Sequence, residues 1–230
     1  IYSIDNRLKI NKIHGKSLSY NNYNDIFAAL TISRSLPKNV GTVIVKHLTP
    51  CGVSIDKNNF NSFKYAFNSD PISAFGGIVS CNFKINKKLA QHLNQIFIEV
   101  IIGNGFDLDA LKILKSKKNL RIIDASNYSF DENLKFNSIN DTLLIQSEDK
   151  KIFKKNDFQV VSNKKPNQYQ LKSLIFAFNV CRYVKSNAIV LASNMSTVGI
   201  GAGQPSRLDS CLIAIDKMKK FMNIEDEIVA

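Results

Sequence analysis

Short β-branched and aliphatic runs alternate with longer stretches whose apolar residues recur at helical spacing, the pattern of an α/β layer architecture. Residues 42–45, Thr-Val-Ile-Val, are too few for a helix and apolar enough for a buried strand. Before them, residues 26–36 predict a helix, with Asn24 or Asp25 available as its N-cap. After them, Phe75-Gly76-Gly77 leads into a strand at 78–79, where the glycines allow close backbone approach. Helices are predicted over 85–94 and 108–118, and strands over 97–102 and 120–123. The stretch 124–165 is polar, with strand-like pieces at 142–145 and 158–161, and reads as a linker with a peripheral hairpin. A second unit opens with a helix over 167–184 that sets Leu171, Leu174, Ile175, Phe178 and Cys181 along one face. Strands at 188–192 and 197–200 follow around a turn at Ser193-Asn194, and a helix covers 207–222. There is neither a 20–50-residue repeat nor an apolar run near the roughly 18–20 residues that span a bilayer.

Four segments carry candidate chemistry. In Val43-Ile44-Val45-Lys46-His47-Leu48-Thr49-Pro50-Cys51-Gly52 a buried strand runs straight into a Lys-His pair. Histidine offers an acid or base near neutral pH, and the adjacent lysine a charge for a developing oxyanion. Neighbouring strand residues face opposite ways, so both serve one site only if the chain bends, for which Pro50 and Gly52 are placed. Lys185-Ser186-Asn187 with Gly199-Ile200-Gly201-Ala202-Gly203-Gln204-Pro205-Ser206-Arg207 is either an anion cradle gripped by Arg207 or a tight structural turn. It has neither the P-loop nor the dinucleotide glycine spacing. Asp70-Pro71-Ile72-Ser73-Ala74-Phe75-Gly76-Gly77 reads alone as a turn entering a strand. Gly15-Lys16-Ser17-Leu18-Ser19-Tyr20-Asn21-Asn22 reads alone as a polar loop before a helix.

Charge bears on the partner. The formal net charge of +12 over 230 residues invites anions. The lysines are scattered in short surface-type runs such as 115–118, whereas a nucleic-acid binder should cluster them with exposed aromatics. The aromatics here fall mostly within apolar core patterns, as at Phe176 and Phe178. Cys51, Cys81, Cys181 and Cys211 are far apart and read as thiols of a reducing cytoplasm, with no tetrahedral zinc set. Residues 1–10 lack the order of a signal peptide, and a start at Ile1 suggests that upstream sequence is missing.

Taken in order, GKSLSYNNYND, VIVKHLTPCGV, DPISAFGGIVS, FIEVII, ALKILKSKKNLR, VKSNAIVLA and TVGIGAGQPSR resemble the aminoimidazole carboxamide ribonucleotide transformylase domain of the bifunctional transformylase/inosine monophosphate cyclohydrolase family. They cover nearly the whole chain, and only about 127–164 matches poorly. The resemblance implies two cytidine-deaminase-like subdomains without zinc. The first would occupy 1–126, a linker 127–166, and an incomplete second subdomain 167–230. It further implies formyl transfer from 10-formyltetrahydrofolate to the 5-amino group of the ribonucleotide, in a cytoplasmic homodimer with no nucleic-acid or membrane partner.

Carried onto this sequence, Lys46 and His47 match the family's catalytic pair and Asn187 the asparagine that holds the formyl oxygen. Arg207 matches a substrate-binding arginine. Asn22, Phe75, Gly76 and Glu99 fall where the family lines the nucleotide pocket, with Gln204 beside them. The family's Arg-Tyr-Gly and Asn-Pro-His-Gln segment is expected just before Ile1, and its Phe-Phe-Pro-Phe segment just after Ala230. The chain thus reads as an excerpt of a longer enzyme, inactive by itself, rather than a decayed remnant. A zinc deaminase of the same fold would need His-x-Glu and Pro-Cys-x-x-Cys, which the sequence lacks.

Overall fold

A computed structural model of the chain describes residues 11–128, 134–222 and 228–230. The aliphatic runs become strands β1 (Asn11–His14), β2 (Gly41–Lys46), β3 (Thr49–Ile55), β4 (Ile78–Cys81), β5 (Val100–Gly103) and β6 (Arg121–Asp124). A hairpin of β7 (Leu134–Ile139) and β8 (Thr142–Ser147) stands apart, and β9 (Ile189–Ser193) and β10 (Ser196–Gly201) complete the set. Eight of them form one mixed sheet in the order β1-β6-β5-β4-β2-β3-β10-β9. Only β4, β5 and β6 are mutually parallel.

Strand alternation divides the core between the two faces of this sheet. Val43, Val45, Val100, Ile102 and Val190 point to α1 (Tyr20–Ser35) and α6 (Gln168–Cys181). Ile44, Val79, Ile101 and Ile122 point to α2 (Asn59–Ser69), α3 (Pro71–Ala74), α4 (Lys87–Leu93) and α5 (Leu108–Lys115). Leu191 and Val198 meet α7 (Arg207–Phe221), which packs with Ala214. The α/β class expected from the sequence is therefore what forms.

Several local expectations need correction. Helix α1 starts at Tyr20, earlier than 26, because Ser19 and Asn22 form a reciprocal capping box, so neither Asn24 nor Asp25 is the cap. Pro50 and Gly52 do not make the bend after Lys46, for they lie inside β3. The bend is His47-Leu48 itself, both at positive φ (54° and 64°), a two-residue hairpin turn joining β2 to β3. The register shift between Ile44 and Val45 leaves Cys51 as the extra residue of a bulge beside Pro50, which has no N–H to give a ladder. Residues 158–161 form no strand; Phe158 packs its ring against Phe153 and Phe178 instead.

On α6 the buried face is Ser173, Phe176, Ala177 and Val180. The face anticipated from spacing, Leu171, Leu174, Ile175, Phe178 and Cys181, lines an open apolar recess of about 450 Å³ against residues 158–162 and β9. The helix has two apolar stripes, and Phe178, at 49% exposure, belongs to the outer one. Among the described residues no helix is long and apolar enough to cross a membrane.

Register decides where chemistry can gather. Val45 lies opposite Ile78, Ile78 opposite Val100, and Val100 opposite Arg121, so the end of β2 and the starts of β4, β5 and β6 share one edge. Antiparallel β3, β10 and β9 return to the same edge, with Lys46 opposite Thr49 and Gly201 opposite Ile189.

Candidate active site

Lys46, Phe75, Gly76, Glu99 and Asn187 sit on or beside that edge. Lys46, at the end of β2, donates from Nζ to the Phe75 carbonyl at 2.7 Å. His47, exposed at the apex of the turn, follows it. Two successive non-glycine residues at positive φ are strained, of the order of 1–3 kcal/mol each, and survive only where surroundings hold them. Asp25 supplies such a hold, its Oδ1 accepting from the Leu48 N–H at 2.6 Å. Lys46 and His47 border a cavity of about 270 Å³ together with Cys51, Ser73, Gln204 and Lys217.

Asn187 lies behind Gln204. Its Nδ2 donates to the carbonyls of Gln204 (3.0 Å) and Pro205 (2.7 Å), and its own carbonyl accepts from Ser210 Oγ at 2.8 Å. Both amide hydrogens are thus engaged, and a donor role towards substrate requires exchanging one of them. Within 199–207, residues 199–201 finish β10 and 202–206 form the loop that leads into α7. Gly199 and Gly201 are strand residues pressed by α7, where an added Cβ would meet the Ala214 carbonyl oxygen at 2.2 Å and that of Ser210 at 1.8 Å. The Gly203 N–H is given to Lys185 O at 2.7 Å, so it is not part of an anion cradle. Arg207 opens α7 and is exposed, with no hydrogen-bond or ion-pair partner among the described residues.

A second cluster lies further along the edge. Asn22, buried in the first turn of α1, donates from Nδ2 to Glu99 Oε2 at 3.1 Å. Arg121 pairs with the same oxygen at 3.6 Å and donates from Nε to Ser17 O at 3.0 Å. Glu99, Phe97, Arg121 and Lys16 border a recess of about 720 Å³. Gly76 takes φ 71°, which a side chain resists, and its N–H reaches Phe97 O at 2.9 Å. Phe75 lies with its ring centroid 5.0 Å from that of Phe97. The structure thus sets Lys46, His47 and Gln204 around one cavity, joins Phe75 to Lys46 and Asn187 to Gln204 by hydrogen bonds, and pairs Asn22 with Glu99. Arg207 remains apart.

Sequence reasoning missed three participants. Asp70, 3% exposed, accepts from Ser73 N (2.9 Å), Ser73 Oγ (2.6 Å) and Lys217 Nζ (2.7 Å). Its part was hinted at by Asp-Pro-x-Ser, a cap residue followed by proline at the first helical position. Lys217 and Arg121 carried no such signal. Burial alone would raise the Asp70 carboxyl, yet the hydrogen bonds from Lys217 and Ser73 outweigh it and hold the group below the usual carboxylate range. A folded carboxyl more acidic than the unfolded one stabilises above the ordinary value, about pH 4, and that contribution is lost as pH falls through the folded value. Melting temperature should therefore fall on acidification below about pH 5, with the gap between wild type and Asp70→Asn narrowing over the same range. Parallel curves would show that another group titrates.

Among the described residues no three metal-binding side chains converge. Of the other histidines, His92 packs edge-on against Phe60 and Phe63, and His14 meets Lys117 O at 3.2 Å. Burial pushes the Cys51 and Cys81 thiols up to about 12, so both are neutral near pH 7.

A cation and an imidazole fixed at the end of a strand, with amides close behind, have what acid–base and group-transfer chemistry on an α/β scaffold requires. Known proteins narrow that class. Residues 2–217 match the family described as AICARFT/IMPCHase bienzyme, and the chain belongs to it. It is 40% identical over 206 residues to the bifunctional purine biosynthesis protein PurH of Listeria welshimeri, covering 90% of this chain and 40% of that protein. Against the protein of the same name from Caldicellulosiruptor saccharolyticus it is 39% identical over 217 residues, 92% of this chain and 41% of that one. Against that of a Thermoanaerobacter species it is 43% identical over 197 residues, 86% and 38%. The chain spans about two fifths of the length of the curated relatives it matches.

Proposed function

We propose that the longer protein carrying this chain transfers the formyl group of 10-formyltetrahydrofolate to the 5-amino group of aminoimidazole carboxamide ribonucleotide, within purine biosynthesis. The observation that carries this reading is the Lys46-His47 turn bordering one cavity with Gln204, with Asn187 clamped immediately behind. The amine nitrogen attacks the formyl carbon, His47 takes the proton that the amine loses, and the same proton passes to the folate nitrogen as its bond to the formyl carbon breaks. Lys46, held by Phe75 O through one of its three N–H donors, steadies the oxyanion or the departing nitrogen with the others. Asn187, exchanging one backbone acceptor for the formyl oxygen, assists it. Asn22, Glu99, Gly76, Phe75, Gln204 and Arg207 hold the ribonucleotide.

In this reading the sheet is shared by two cytidine-deaminase-like subdomains, residues 1–126 and the beginning of another at 167–230, bridged by 127–166. The enzyme works without zinc as a cytoplasmic homodimer, and its remaining sequence supplies inosine monophosphate cyclohydrolase activity. Kinship with enzymes at about 40% identity supports this over a basic nucleic-acid-binding protein. The test is a folate-dependent assay of the full-length protein, following release of tetrahydrofolate on addition of the ribonucleotide. Turnover dependent on both substrates is expected. A folded protein that binds both without forming formamido product would refute the reading.

A further inference from the structure

Beneath the cavity lies an ion pair that the reaction above does not use. Lys217 comes from the middle of α7, the helix that begins with Arg207 and whose Ser210 holds the Asn187 carbonyl. Asp70 comes from the junction of α2 and α3. The pair therefore ties the part of the chain that carries Asn187 and Gln204 to the part that carries Lys46 and His47. The Asp70 end is almost wholly buried, and Lys217 and Ser73 both border the cavity.

Asp70 also governs a backbone element that the site needs. Its side chain caps the single turn Pro71–Ala74 through the Ser73 N–H, and its carbonyl accepts from Ala74 N at 3.0 Å. That turn ends at Phe75, whose carbonyl holds the Lys46 ammonium. The chain of contacts runs Lys217 Nζ, Asp70, the α3 turn, Phe75 O and Lys46 Nζ, each link at hydrogen-bond distance or one short turn of backbone. Three charges also converge on Cys51, whose thiol is raised first by burial and then by Asp70, while Lys217 and Lys46 act the other way.

We propose that Asp70 and Lys217 are a positioning pair that sets the Phe75 carbonyl and so fixes the Lys46 ammonium at the mouth of the cavity. The consequence for turnover rests on the formyl-transfer reading, whereas the positioning of Lys46 does not. Without Lys217 the buried Asp70 carboxylate takes up a proton, its hold on Ser73 weakens, and the turn that presents the Phe75 carbonyl to Lys46 loosens.

The test uses the full-length protein in two arms. In the first, limited acetylation with acetic anhydride is read by mass spectrometry, lysine by lysine. Lys46 should be modified several-fold faster in Lys217→Met and in Asp70→Asn than in wild type, relative to the exposed lysines of α5, with Lys217→Arg close to wild type. In the second, Lys217→Met should lower kcat about tenfold or more with KM for both substrates within about threefold, and Lys217→Arg should restore most of it. The double variant should be no worse than the more damaging single one, as expected of a pair acting as a unit.

Unchanged Lys46 reactivity in both Lys217→Met and Asp70→Asn would overturn the proposal, as would a kcat loss that tracks melting temperature and that arginine fails to rescue. If Lys217→Met does not fold, Asp70→Asn decides alone, because its Oδ1 can keep the cap to Ser73 N while the charge and the acceptor that faces Lys217 are lost. A wild-type protein inactive in formyl transfer, but with Lys46 exposed by these variants, would refute the activity reading and leave the positioning pair standing.

Discussion

Replacing His47 in the full-length protein should lower turnover at least about a hundredfold, the low end of what a positioned proton acceptor supplies. The geometry dictates which replacement is informative. His47 sits at φ 54°, where alanine adds strain of its own and asparagine is tolerated. His47→Asn therefore removes the base while keeping the turn, and His47→Ala removes both. Both should lose turnover to the same degree, with ribonucleotide affinity only modestly changed, because His47 is exposed at the apex and buries no core. His47→Asn should keep the wild-type melting temperature, and His47→Ala should fall slightly below it. If His47→Asn turns over within a few-fold of wild type, the histidine is not the proton acceptor.

The largest loss of stability is expected at Gly52. This glycine lies in the middle of β3, where α2 crosses so closely that a Cβ would stand 1.8 Å from the Ala66 carbonyl oxygen. Carbonyl and strand are both backbone, so nothing flexible can swing aside. Gly52→Ala must either push α2 off the sheet or break the β2–β3 register that presents Lys46 and His47. Overpacking of this kind costs about 3 kcal/mol or more, the top of its usual range. For a domain of this size that corresponds to roughly 6–12 °C of melting temperature. Loss of soluble protein, or a shift of that size by calorimetry, is the expected result. A variant melting within about 2 °C of wild type would show that α2 moves freely, against the packing described.

Gly52 also illustrates what could be read from the chain and what could not. The strands β2, β4 and β6 and the helices α5 and α7 were legible, because each is a run whose period survives any tertiary context. Strand β3 was not. Its Thr-Pro-Cys-Gly opening has the composition of a turn, and only the bulge at Cys51 and the pressure of α2 explain a proline and a glycine in a strand. Helix α2 was missed because its Asn- and Ser-rich sequence buries little more than Phe63 and Ala66 among its apolar residues, together with two serines. The start of α1 was misplaced because polar Tyr20 to Asp25 carry no apolar period, and the capping box alone marks it.

Within the site, pattern marked Lys46, His47, the segment with Asn187, and Arg207 as candidates, and kinship gave each its expected role. Asp70 had a capping signature that pointed to structure alone. Lys217 and Arg121 were beyond reach, since the partner of a surface-type lysine or arginine is set by strand register and helix crossing. The outer stripe of α6 failed for a related reason: periodicity finds an apolar face but does not say which of two faces the sheet will take.

The junction of β3 with β10 has a consequence for how the site comes into being. Val53 N and Thr197 Oγ1 meet across 144 residues of sequence, and Ser54 and Ser196 share a hydroxyl contact of 2.6 Å at the same seam. The β2–β3 hairpin, with Lys46 and His47 at its tip, is a local structure that can form early. Gln204 and Asn187 arrive only when that distant seam zips, a step that carries a large loop-closure entropy and so belongs to the slow end of folding. A chain still under synthesis thus presents Lys46 and His47 before Gln204 and Asn187 stand behind them.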